Sequence, residues 1–173
     1  MTRAPAALLL VAMIVAPDAR AQTPTGQVGA DAVVVTVGMT LTPLRDLQFG
    51  SIPLGVPTTV LPTAPNAGAW QVTGASNAFV SLSFTLPATL GNTQAVPGVT
   101  LPISFAGTAA LWRRAVNDPS GATIFNPVVG ATGRFGPPPN PTLYIWIGGT
   151  VIPAPAQLPG IYTGTVMLQV AYL

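Results

Sequence analysis

Four side-chain types are missing from this chain of 173 residues: cysteine, histidine, lysine and glutamate. Without cysteine no disulfide can stabilise the fold, so stability must come from burial of apolar side chains or from partners. Lysine and glutamate are the usual solvent-facing residues of amphipathic helices, and both favour helix. Their absence, together with 20 prolines, 18 glycines and many valines and threonines, predicts an all-β protein.

The same absences limit the chemistry that the chain can perform. Catalysis near neutral pH needs a group that exchanges protons there, and the four missing types supply most such groups. Asp46 and Asp118 are candidates for a two-carboxylate glycosidase site, but Asp46 adjoins Arg45, and Asp118 lies in an Asn-Asp-Pro turn where aspartate commonly caps its own backbone. A calcium site at Asp118 and Asn117 would have one carboxylate. We therefore expect no enzyme, no cofactor and no metal site.

Charge is scarce throughout the chain. Beyond residue 21, four arginines stand against three aspartates. They are too few and too scattered to neutralise a row of phosphates, so we expect no nucleic-acid partner. Such a surface is typical either of a protein that another molecule covers or of a neutral surface of threonine, glycine, proline and glutamine.

The first 21 residues have the pattern of a secretory signal peptide. Arg3 provides a basic start, residues 6–16 form an apolar run too short to span a bilayer, and Ala19-Arg20-Ala21 places small residues where a signal peptidase cleaves. Cleavage before Gln22 would send the chain through the secretory pathway, with the periplasm in transit, to the cell surface or the extracellular space. No later apolar run is long enough to predict a transmembrane span in the mature chain.

Alternation of apolar and polar residues recurs along the rest of the chain and predicts β-strands. The clearest segments are 33–41, 80–86, 99–105, 143–147 and 165–172. Shorter candidates are 47–52, 58–61, 70–73, 109–112 and 124–129. Pro102 inside the third segment marks that strand as an edge strand or a bulge. Short strands joined by proline- and glycine-rich turns predict an antiparallel β-sandwich, with residues 22–32 as a flexible N-terminal segment and 33–173 as one domain.

Several short motifs resemble those of a known group of proteins. The chain contains Leu44-Arg45-Asp46-Leu47-Gln48-Phe49-Gly50, then Val72-Thr73-Gly74, and later Gly160-Ile161-Tyr162-Thr163-Gly164-Thr165 before a final alternating strand. These motifs resemble an uncharacterised family of secreted bacterial domains that is similar to spore coat protein U and to chaperone-usher pilins. The resemblance covers roughly residues 30–173.

The resemblance implies an immunoglobulin-like, pilin-like sandwich that a strand from a neighbouring copy completes, by donor-strand exchange. It implies a structural subunit of a cell-surface fibre, pilus-like filament (fimbria) or coat. Its partners would be copies of itself or related subunits, with a periplasmic chaperone and an outer-membrane usher. The chain departs from usher-assembled pilins in having no cysteine for a disulfide near the start of the domain.

Two strands are candidates for assembly. The first is the alternating segment that is either a donor strand or, as we favour, the first strand of the chain's own sheet: Val33, Val35, Val37, Met39 and Leu41. The second is the C-terminal strand, whose apolar positions are Val166, Leu168, Val170 and Tyr172.

One strand face carries an aromatic pair, Tyr144 and Trp146. This pair is either core or a contact surface for a sugar or a second subunit. The corresponding alternative function is a monomeric, secreted carbohydrate-binding or adhesin module that takes part in cell adhesion.

Overall fold

The computed structural model describes residues 38–94 and 99–173, which form β-strands joined by turns and loops, without a helix in either range. The strands are β1 Thr40–Arg45, β2 Thr58–Val60, β3 Gly68–Thr73, β4 Phe79–Thr85, β5 Thr89–Asn92, β6 Thr100–Ser104, β7 Ala110–Arg114, β8 Thr123–Phe125, β9 Ala131–Arg134, β10 Thr142–Ile147, β11 Gly149–Val151, β12 Tyr162–Thr163 and β13 Met167–Tyr172. Over these ranges, nothing helical is long and apolar enough to cross a membrane.

The strands form three sheets, and every pairing among them is antiparallel. A five-stranded sheet has the order β1-β3-β10-β7-β8, and a three-stranded sheet has the order β13-β4-β9. A second five-stranded sheet has the order β12-β5-β6-β11-β2. The prediction of an all-β, antiparallel sandwich is therefore confirmed.

The main hydrophobic core lies between the first five-stranded sheet and the three-stranded sheet. Val72 of β3 and Ile145 of β10 pack against Val80 and Leu82 of β4, and Phe135 after β9 closes one end. Each of these side chains is at most 2% exposed. Full burial of one such side chain contributes about 1.5–3 kcal/mol, so this cluster dominates the stability of the sandwich.

A second, smaller core lies on the inner face of the other five-stranded sheet. Leu90, Leu101, Ile103 and Val151 form its buried centre. Gly148 marks the passage between the two halves, because it is the single residue between β10 and β11. A side chain at Gly148 would collide with the backbone of Val60, Leu61 and Pro62.

The strand predictions were right in most places. Four of the five clearest segments coincide, to within two residues at each end, with β4, β6, β10 and β13. Of the segment 33–41, only residues 38–41 are described, and the strand there begins at Thr40 and continues to Arg45. Residues 1–37, with the signal peptide, Val33, Val35 and Val37, lie outside the described residues.

Two local predictions were wrong. Residues 47–52 form no strand, because Phe49 and Ile52 turn into the second core from an irregular loop. Pro102 is not at an edge, because β6 is the middle strand of its sheet. The neighbouring strands need no N–H at that position: on the β5 side the bond comes from Ile103 N to Ala88 O (3.1 Å), and on the β11 side Pro102 O accepts from Ile152 N (3.0 Å).

Replacing Gly148 with alanine tests its close approach to the backbone at the end of β2. The new methyl group would meet backbone atoms, which cannot move aside as a flexible side chain could. We expect Gly148→Ala to lower the free energy of unfolding by about 2 kcal/mol or more, measured by urea denaturation. Gly38→Ala is the matched control, since no described residue lies within 4 Å of a side chain there, and it should change stability by less than about 0.5 kcal/mol. Equal effects of the two changes would contradict this account of Gly148.

Candidate functional site

Two unpaired strand edges flank one side of the sandwich. In the described part of the chain, β1 pairs only with β3, and β13 pairs only with β4. The inner neighbours β3 and β4 lie opposite each other, because the Trp70 and Phe84 rings pack 5.7 Å apart across the core. β1 and β13 therefore border the same opening, and no backbone pairing among the described strands joins them. We call this opening the seam.

Core-facing side chains along the seam are only partly covered. Leu168 and Val170 of β13 pack against the main core but remain half-buried, as do Trp70 and Phe84. On the other side of the seam, Leu41 of β1 lies opposite Val72 and is 39% exposed. The core of the sandwich is thus buried at its centre and open at this edge.

A groove of about 1060 Å³ begins at one end of the seam, where β1 ends and β13 begins. Pro43, Trp70 and Val166 line the part next to the main core. From there the groove runs along the second core, past Leu101 and Tyr162. Arg45 and Asp46 are the charged side chains among its described lining, and they lie next to each other in sequence.

The first wall of the groove is the loop that follows β1. Gly50 has a φ of 70°, a conformation that favours glycine and lets the chain turn Phe49 and Ile52 toward the second core. Gln48 holds the loop in place, since its N–H donates to Asn66 O (3.0 Å) and its carbonyl accepts from Asn66 Nδ2 (2.6 Å). This wall belongs to the motif on which the family resemblance was based.

The opposite wall is the loop that precedes β12. The Tyr162 hydroxyl donates to Leu158 O (2.6 Å), four residues upstream, and accepts from Gln157 Nε2 (2.7 Å). Gln157 Nε2 also donates to Thr100 O of β6 (3.2 Å). A tyrosine that bonds back to upstream backbone near the start of a late strand is the arrangement of the tyrosine corner in immunoglobulin-like sandwiches. Together with the bond from Gln157 to Thr100, this arrangement fixes the groove wall to the sheet.

The predicted C-terminal assembly strand forms one border of the seam. Val166 lines the groove, and Leu168 and Val170 face the main core. The Tyr172 hydroxyl accepts a hydrogen bond from Ala75 N (2.8 Å), and its ring lies 6.0 Å from Phe135. Of the other predicted strand, Met39 packs against the main core and Leu41 belongs to β1.

The aromatic pair lies on the other face of the first sheet, away from the seam. The Tyr144 and Trp146 rings stack at 6.2 Å with an interplanar angle of 24°. Trp146 is 2% exposed and clusters with Ala69 and Leu111. Tyr144 is the half-exposed member of the pair.

Asp118, one of the two aspartates considered for a glycosidase site, holds its own turn together in the structure. Asp118 forms an ion pair with Arg113 (Oδ2 to Nη1, 3.2 Å), and its Oδ1 accepts from Ser120 N (2.9 Å), the predicted backbone cap. Arg113 Nη1 also donates to the carbonyls of Asp118 and Ser120, so an arginine occupies the centre of this turn. Over residues 38–94 and 99–173, no three histidine, cysteine or acidic side chains come together as a metal site would require.

Comparison with known proteins adds no identification. The chain matches no family model, and no curated protein is significantly similar to it. The resemblance to coat and pilin proteins therefore stays a prediction.

Replacing Tyr162 with phenylalanine tests how the groove wall is held. The change removes the hydroxyl that bonds to Leu158 O and Gln157 Nε2, so we expect a loss of about 0.5–1.5 kcal/mol in the free energy of unfolding. The loop before β12 should also become easier to cleave by proteases. Tyr144→Phe is the control, because the Tyr144 hydroxyl has no hydrogen bond to a described residue. A Tyr162→Phe protein as stable as the control would show that the network does not hold the wall.

Proposed function

We propose that this protein is a secreted structural subunit of a cell-surface fibre, pilus-like filament or coat, and that its copies join by β-strand addition at the seam. The observation that carries the proposal is the pair of free edges on β1 and β13 with half-buried core side chains between them. An exposed strand edge presents unpaired N–H and C=O groups, which makes it a template for a further strand.

A strand added at the seam would make two kinds of contact. Its backbone would pair with the free edge of β13 or β1, which provides affinity, and every second side chain would cover the half-buried core residues, which provides specificity. Phe84, Leu168 and Val170 are half-buried members of that core at the seam. Pairing and apolar burial act together here, since an unsatisfied edge and an uncovered core lie at the same place.

The segment upstream of β1 in a second copy is the donor that we propose. Leu41 already belongs to the chain's own sheet and Met39 packs against the chain's own main core, so the donor is confined to residues before Met39, with Val33, Val35 and Val37 as its inward side chains. Residues 33–38 number six, as do the residues of β13, so in extended conformation each segment covers about 17 Å. The segment thus has the length and the alternation that the edge of β13 requires.

The export signal and the open edge together suggest how the subunit reaches the surface. Residues 1–21 would direct the chain into the secretory pathway. A free edge beside an open core is prone to aggregate, so a periplasmic chaperone that covers the seam in transit, and an usher that releases it, are the partners we propose. The role is structural and needs no catalytic group.

The alternative of a monomeric carbohydrate-binding module has less support from the geometry. It relied on Tyr144 and Trp146 as an open aromatic surface, and Trp146 is buried. A sugar ring would have only the half-exposed Tyr144 to stack against.

A pair of neighbouring substitutions tests the proposed assembly. In a donor strand Val35 points inward and Val34 outward, so Val35→Asp would place a charge in the apolar seam and Val34→Asp would not. We expect the mature chain and Val34→Asp to form large assemblies, and Val35→Asp to remain monomeric, in sedimentation velocity and electron microscopy.

The two aspartate variants change the charge of the same segment by the same amount, so electrostatic repulsion alone would affect both. If both assemble as the unmodified chain does, or if the unmodified chain stays monomeric at high concentration, the proposal is wrong. A synthetic peptide of residues 31–39 should cap the seam and reduce assembly, and a peptide with Val35→Asp should not.

A further inference from the structure

Two arginines that form no ion pair with a described carboxylate lie at the end of the sandwich away from the groove. The described residues include four arginines. Among them Arg113 is paired with Asp118, and Arg45 adjoins Asp46 in the groove lining. Arg114 ends β7 and Arg134 ends β9, and no described carboxylate lies within ion-pair distance of either.

These two arginines flank one tight backbone contact. Ala115 follows Arg114, and a side chain on Gly136, two residues after Arg134, would come within 2.8 Å of the Ala115 Cβ. Ala115 N and Gly136 N both donate to Thr142 O, at 2.9 and 3.1 Å. Both arginines are thereby anchored at the same end of the sandwich.

Backbone with a positive φ accompanies each arginine. Within the described ranges, the non-glycine residues with positive φ are Ala115, at 62°, and Asn77, at 60°. Ala115 directly follows Arg114, and Asn77 O accepts the hydrogen bond of Arg134 Nε (3.0 Å). Asparagine adopts this conformation readily, whereas for alanine it is unfavourable and persists where the surrounding structure holds it in place.

The Arg134 guanidinium carbon lies over the Phe79 ring, 5.0 Å from its centroid. Its Nε is used by Asn77 O, so the Nη groups remain for a ligand. Arg114 is exposed and lines a cleft of about 320 Å³ together with the half-exposed Trp112. A planar guanidinium binds a carboxylate with two parallel hydrogen bonds, and an indole ring offers a flat apolar face to a sugar ring.

We propose that this end of the sandwich binds an acidic polysaccharide, with Arg114 and Arg134 holding carboxylates of nearby uronic acid residues and Trp112 contacting a sugar ring. Two arginines suit a polymer with one carboxylate per sugar. They are too few for nucleic acid, whose binding relies on neutralising a dense row of phosphates. The site is separate from the seam, so it goes beyond the proposed assembly and does not depend on it.

The test uses the mature chain and purified polygalacturonate, with neutral dextran and double-stranded DNA as comparison polymers, in affinity electrophoresis and calorimetry. We expect binding to polygalacturonate, none to dextran and none comparable to DNA. Arg114→Gln with Arg134→Gln should weaken binding by about tenfold or more. Raising salt from about 50 to about 200 mM should weaken it several-fold.

The matched control carries Ser83→Asp and Ser104→Asp, which lower the net charge by the same two units at exposed strand positions elsewhere. It should bind within about twofold of the unmodified chain. Arg114→Gln alone changes an exposed side chain, so its loss of affinity in a protein of unchanged thermal stability separates binding from folding. Sedimentation of the same samples reports assembly independently. Equal loss in the control, equal binding by the arginine variants, or equal binding to DNA would overturn the proposal.

Discussion

Apolar side chains that face the interior of a sandwich stabilise it only while something excludes water from them. At the centre of the main core this is achieved, since Val72, Leu143 and Ile145 are fully buried. At the seam it is not, since Leu168 and Val170 stay half-buried and no other described strand pairs with the outer edges of β1 and β13. We relate both the low charge and the proposed assembly of the protein to the need to close that edge.

In this account, the open edge at the seam also explains the scarcity of charge. Natural edge strands are commonly protected from further pairing by charged residues, often lysine, and by inward-pointing charges. β13 has no charged residue, and the only one in β1 is Arg45 at its last position. Protection of this kind would also prevent the addition of a strand. The low charge of the described sandwich thus fits strands that pair with another chain.

The sequence was informative where a pattern depends on neighbours along the chain. Alternation located β4, β6, β10 and β13, and the Asn-Asp-Pro turn predicted the backbone cap made by Asp118. Failures came where position depends on strand order. Phe49 and Ile52 are apolar and spaced three apart, which gives no signal for a loop that seals a second core. Pro102 was assigned to an edge strand or a bulge because proline cannot donate, but its neighbours in a middle strand need no N–H there.

The seam itself could be foreseen only in outline. The alternating C-terminal strand indicated an assembly element. A single sequence does not reveal that β13 borders an opening opposite β1, or that Trp70 and Phe84 lie between them. Likewise, the burial of Trp146 follows from its cluster with Ala69 and Leu111 on adjacent strands, which the sequence of β10 does not specify.

Amide hydrogen exchange, compared between the monomer and the assembled protein, tests the central claim most directly. If the seam is open in a single chain and filled by a strand from another copy, alternate amides of β13 exchange rapidly in the monomer and are strongly protected after assembly, while β10 is protected in both. Equal protection of β13 in the two states would contradict the account, because the edge would then already be closed or would take no part in assembly.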